Sequence, residues 1–120
     1  MNDISIFGKL FEFRTQAHWL HLQTKSFEEH TALGGFYDEL DSLLDKFIEV
    51  YFGRYDRLNG DFVNDVKAYG NIDLIFFIKS VYEHTTKLSM ITSPNDTDLQ
   101  NIVADMRELC NHTLYKLSLK

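Results

Sequence analysis

A single cysteine, Cys110, excludes an internal disulfide and suits a reducing compartment. A single proline, Pro94, leaves almost the whole chain free to run in long helices. Cations are in the minority: 12 Lys and Arg stand against 18 Asp and Glu, a net charge of −6. That balance argues against a nucleic-acid partner, because phosphate binding needs clustered Lys and Arg. No apolar run approaches the roughly 18 residues of a spanning helix, and no leader-like segment opens the chain. A soluble, cytoplasmic protein without a membrane partner is therefore expected. Strand-like alternation, internal repeats, a Gly-rich phosphate loop, Cys-x-x-Cys and Gly-x-Ser-x-Gly are all missing.

What remains is helical. At 120 residues, 44% apolar and 14% aromatic, residues 1–120 suffice for one domain with one core. Ile4, Phe7, Leu10, Phe11, Ala17 and Leu20 recur at helical period and predict a helix over 3–23. Ser26 followed by Glu29 is a capping-box signature that opens a second helix, 26–53. Leu33, Phe36, Tyr37, Leu40, Leu44, Phe47, Ile48 and Tyr51 form its apolar side. Gly34 and Gly35 lie inside it, each costing about 1 kcal/mol relative to alanine, so a close approach or a bend is expected there. Asn59-Gly60 marks a turn, Phe62–Tyr69 reads as a short helix, and 71–91 as a third long one. Past the loop Thr92–Asp96, Leu99, Ile102, Val103, Met106, Leu109, Cys110, Thr113, Leu114 and Leu117 stripe a fourth, 97–118. The expected fold is an all-α, up-down-up-down four-helix bundle with a short extra helix between helices two and three.

The chemistry concentrates between His18 and Glu49. Imidazole and carboxylate together suit iron or zinc, and His18, His30, Asp45 and Glu49 supply both. Asp45 and Glu49 are four apart and share a helix face, which Asp38 and Asp41 extend. On one straight helix His30 and Asp45 stand about 22 Å apart, so they cannot hold one ion within a single chain. A second copy running antiparallel across a two-fold axis can bring His18 and His30 of one chain to Asp45 and Glu49 of the other. His21, His84 and His112 have no comparable partners, and Cys110 belongs to an apolar stripe rather than to a reaction. Glu-x-x-His, the signature of di-iron carboxylate bundles, does not occur.

The run Ala17-His18-Trp19, then His30, Asp45 and Glu49 at these offsets, resembles the Dps-like mini-ferritins. Phe27, the short Phe62–Tyr69 helix and the ending Leu114–Leu117 are similar in character to that family's corresponding parts. The resemblance implies a ferritin-like bundle, an iron (Fe2+/Fe3+) centre shared between two-fold-related subunits, and His18, His30, Asp45 and Glu49 as its metal ligands. It implies oxidation of Fe(II) by peroxide or dioxygen, with the protein itself as partner in a homodimer or larger assembly. Where the family has an acid four residues after the second His, this chain has Gly34. That departure weakens the expected iron site, and an acid restored at position 34 is expected to tighten it. The chain also runs shorter than typical members and lacks a Lys-rich tail, so no cage is implied. The contrasting expectation is a non-enzymatic binding or structural module, with a degenerate metal site and a protein partner of its own.

Overall fold

Four long helices and one 3-10 turn make up the computed structural model, which describes residues 2–119. They are α1 (Asp3–Gln23), α2 (Phe27–Tyr55), α3 (Leu74–Met90) and α4 (Thr97–Leu117), with the turn at Tyr69–Asn71. No strand occurs among the described residues. Local chemistry sets three of the starts. Asn2 Oδ1 accepts from the Ser5 amide (2.8 Å), Ser26 Oγ from that of Glu29 (3.2 Å), and Asp73 Oδ1 from that of Phe76 (2.8 Å). α2 stops where Asp56 leaves the helical region at φ 85. Its 29 residues rise about 43 Å, the full long axis of a molecule measuring 43 × 27 × 19 Å.

The four helices form a square in which α1 touches α2, α2 touches α4, α4 touches α3, and α3 touches α1. One core half, on the side of the α1–α2 turn, holds Ala17, Leu20, Leu33, Phe36, Ile78 and Cys110. The other holds Phe7, Leu10, Leu44, Phe47, Leu99 and Met106. α2 contributes to both and is the element on which the bundle closes.

The connectivity corrects the expected up-down-up-down order. α2 returns beside the start of α1, where the Tyr51 hydroxyl donates to Asp3 Oδ2 at 3.0 Å. Residues 56–73 then travel the length of α1 again, from Ile4, which Gly60 approaches, to Gln23, which takes the Tyr69 amide. α3 therefore starts at the far end and runs back, reaching Ile6 with His84. α4 carries Leu99 in one core half and Leu117 in the other, so it runs parallel to α1. The order is up-down-down-up with one long crossover.

The expected short helix at 62–69 does not form; that segment is an extended strap lying on α1. The Asp65 amide donates to Glu12 Oε1 (2.8 Å), that of Lys67 to Gln16 Oε1 (2.6 Å), and that of Tyr69 to Gln23 Oε1 (2.8 Å). Gln16 Nε2 returns a bond to the Lys67 carbonyl at 2.8 Å. Two residues of extended chain advance about 6.6 Å and four residues of helix about 6 Å. The amides of Asp65 and Lys67 thus stay in step with Glu12 and Gln16, one helical turn apart. Side chains of α1 satisfy these peptide groups, which removes the need for a helix of their own. Phe62 anchors the strap by stacking on Phe11 (centroids 5.5 Å, 12°). Position 8 must be glycine for this, since a Cβ there would fall 2.6 Å from the Phe62 ring.

Candidate functional site

The turn between α1 and α2 is braced from below. Buried Glu29 accepts from the Thr24 hydroxyl and from the Tyr69 hydroxyl, both at 2.6 Å. Above that brace, α1 ends and α2 begins with histidines facing one another. His21 and His30 stack with centroids 3.8 Å apart and planes 18° apart. His18, one turn earlier on α1, stacks on Tyr37 at 4.1 Å and lies 6.2 Å from His21.

Two reciprocal hydrogen bonds lock the stacked pair. Nδ1 of His30 meets the His21 carbonyl at 2.9 Å, and Nδ1 of His21 meets the His30 carbonyl at 2.6 Å. A carbonyl oxygen only accepts, so each Nδ1 carries the hydrogen, and in the neutral ring Nε2 keeps its lone pair. This is the arrangement that metal-binding imidazoles use, with the far nitrogen tied to a carbonyl and the near one left as donor atom. The His21 carbonyl lies in the last turn of α1, where carbonyls lack intrahelical partners, so His30 also caps that helix.

His21, expected to lack a partner, is thus in the middle of the cluster. Two signals in the sequence pointed to it: it follows His18 by three residues on one helix face, and a glycine stands on α2 opposite. The close approach expected at Gly34–Gly35 is the His21 ring, because a Cβ at Gly34 would lie 2.9 Å from its Cε1. This alters the expected benefit of an acid at position 34. Any side chain there enters the space that His21 fills.

His18 and His30 are exposed at this end of the molecule, and Asp45 and Glu49 are exposed further along α2. The axial separation from His30 to Asp45 is about 22 Å. Among the described residues, no three His, Cys, Asp or Glu side chains converge to hold a metal ion. The rings of His21 and His30 are stacked, so their in-plane lone pairs lie in nearly parallel planes and do not converge on one ion between the rings. The acidic stripe divides: Asp41 is taken by Arg14 at 2.8 Å, while Asp38 lines a shallow cleft with Asp105, Glu108 and His112. Flanking the imidazoles, Trp19, Leu22 and Phe27 are 43%, 60% and 77% exposed.

A groove of about 590 Å³ between α1, α3 and the strap is lined by none of the four candidate ligands. Its rim alternates Lys9, Lys67, Lys79 and Lys87 with Glu12, Asp65 and Glu83, so its charges largely offset one another. His84 lies at its base, buried, with Nε2–H donating to the Ile6 carbonyl at 2.9 Å and its ring edge-on to Phe13. Burial pushes this imidazole below its ordinary value, and Lys87 and Lys9 push the same way. The fold therefore favours the neutral ring. That contribution is present above the unfolded value of about 6.5 and is lost as pH falls through the lower folded value. Between pH 7.5 and pH 5 the urea midpoint should fall, and His84→Gln, which keeps a donor for Ile6, should fall less. Parallel slopes for parent and variant would speak against His84 as the cause. Asp96 is held below 3.8 chiefly by the Tyr55 hydroxyl, and Asp98 chiefly by Arg54, so both act at lower pH. Cys110 is buried and its thiol is pushed up to about 12, which makes it core rather than nucleophile.

The molecule is thus a four-helix bundle with a long crossover and a histidine cluster at one helix turn. The family model described as "Family of unknown function (DUF5856)" matches residues 21–117, and the chain belongs to that family. The matched region includes His21, His30, Gly34, Asp45 and Glu49, and leaves His18 just outside. No curated protein and no solved structure matches the chain. No helix among the described residues is long and apolar enough to cross a membrane.

Proposed function

We propose that the protein takes Fe(II) as substrate between two-fold-related copies and oxidises it with peroxide or dioxygen. His18 and His30 of one copy face Asp45 and Glu49 of the other. The observation that carries this reading is the state of His30: its Nδ1–H is tied to the His21 carbonyl, and its Nε2 is left as a donor atom at an exposed helix turn. Three further features support it. The single long crossover is the connectivity of ferritin-like bundles. Asp45 and Glu49 are exposed, and neither makes an ion pair among the described residues. Trp19, Leu22 and Phe27 give the imidazoles an apolar surround suited to burial at an interface between copies.

Imidazole and carboxylate donors with open positions suit iron in a site where an oxidant must also bind. Two Fe(II) ions give up one electron each, and one peroxide with two protons becomes two waters. The protein supplies the donors and excludes bulk water; the oxidant does the rest.

The experiment is anaerobic loading with Fe(II), removal of excess, iron analysis, and then peroxide while the ferric absorbance is followed. Retained iron and oxidation well above the solvent rate are expected, from a species that light scattering shows to be a dimer or larger. Oxidation at the solvent rate with no iron retained would leave the contrasting reading, a non-enzymatic module. That reading is favoured by one specific observation: three donors do not converge within one copy.

A further inference from the structure

The geometry points to His21 as the positioning residue for His30, and to Gly34 as the glycine that makes room for it. This rests on His30 being a metal ligand as read above, and adds a residue that the four-ligand set does not include.

Two contacts from His21 restrain the His30 ring, and a third bond holds the ring of His21 itself in place. The His21 backbone carbonyl accepts the His30 Nδ1–H at 2.9 Å, the His21 ring covers one face at 3.8 Å, and the His21 Nδ1–H binds the His30 carbonyl at 2.6 Å. Together these fix the tautomer and the plane of a side chain that would otherwise turn freely, since His30 is exposed. The ring of His21 fits only because position 34 has no side chain: a Cβ would come within 2.9 Å of Cε1 and 3.1 Å of Nδ1. That Nδ1 is the atom bonded to the His30 carbonyl, so a methyl group at 34 displaces the ring and breaks that bond together. Removal of a partner that orients a ligating imidazole typically weakens metal binding roughly 10–100-fold.

Two substitutions on different helices should therefore act alike. His21→Ala removes the ring, and Gly34→Ala drives it away; the backbone carbonyl at 21 remains in both, but without the stacked ring the His30 imidazole is free to swing off it. The double variant should be no worse than His21→Ala alone, because Gly34→Ala acts only through a ring that is already gone. Two readouts on the full chain need neither iron nor an oxidant. Long-range proton–nitrogen NMR reports which His30 nitrogen carries the hydrogen, and competition titration reports affinity for Zn(II), a redox-inert probe. Expected are an Nδ1–H tautomer and His30-dependent Zn(II) binding in the parent. Each single variant should show a mixed tautomer and affinity lower by roughly 10–100-fold, with unchanged helicity by circular dichroism. If the parent fails to oxidise Fe(II) but both variants move both readouts, the positioning role stands without the oxidation chemistry. If the parent oxidises Fe(II) while the variants leave tautomer and Zn(II) affinity alone, the positioning role is overturned and the oxidation reading survives. A parent whose His30 carries its hydrogen on Nε2, or whose Zn(II) binding ignores His30, also overturns it. So does a double variant whose losses add.

Discussion

Mixing His30→Ala protein with Glu49→Ala protein should restore about half of the iron-oxidation activity per heterodimer, although each variant alone has none. The arithmetic follows from two-fold symmetry. In a homodimer of either variant both shared sites lack a ligand. In the heterodimer one site collects both defects, and the other, built from the intact His30 of one chain and the intact Glu49 of its partner, is complete. Both side chains are exposed, so neither change opens a cavity, and helicity should hold. His112→Ala, also exposed but on α4, is the control that should leave the rate unchanged. If the mixture remains inactive although mass spectrometry shows that heterodimers have formed, the ligands are not shared and the inter-copy site is wrong.

The largest effect on stability should come from Phe47→Ala. Phe47 is fully buried at the middle of one core half, with Phe7 edge-on at 6.2 Å and Tyr51 stacked at 6.2 Å. Removing a ring from such a position costs about 3–5 kcal/mol, because the lost transfer energy is joined by a cavity that helices cannot collapse into. Against a total of about 5–15 kcal/mol for a typical protein, that is a large share. The urea midpoint should drop steeply at nearly constant slope. Phe27→Ala, on the same helix but exposed, should shift stability by no more than about 0.5 kcal/mol. A similar loss at both positions would mean that the Phe27 end is buried in the protein as it exists in solution, which the proposed interface would explain.

The helices were legible because their signals are local. Ser26 before Glu29 announced the start of α2, and the stripe from Leu99 to Leu117 announced α4, both within a residue or two of the structure. The strap was not legible. Phe62, Val66 and Tyr69 recur at helical spacing, yet the groups that hold the strap extended are Glu12, Gln16 and Gln23, some fifty residues earlier. Sequence periodicity reports on a segment's own faces and is silent about peptide groups satisfied from elsewhere. The order of the helices was lost for the same reason. A connection over 56–73 exceeds the usual helix-to-helix turn, and that excess was the available sign of a crossover. The spacing singled out His18 and His30 as candidate ligands and passed over His21. The three-residue step from His18 and the glycine at 34 were there to be read, but the ring stack that joins them depends on how α1 meets α2, and that is not visible along a single strand of letters.

The strap is held by its backbone at alternate residues, and that has a consequence for how this region can vary. Residues such as Val63 and Asn64 point away into solvent and take no part in the grip. Sequence drift there should be nearly silent, whereas proline at 65, 67 or 69 would delete an amide hydrogen by which α1 holds the strap. The constraint on this stretch is therefore written on a different helix: Glu12, Gln16 and Gln23 should resist substitution on behalf of a segment whose own letters are largely free to change.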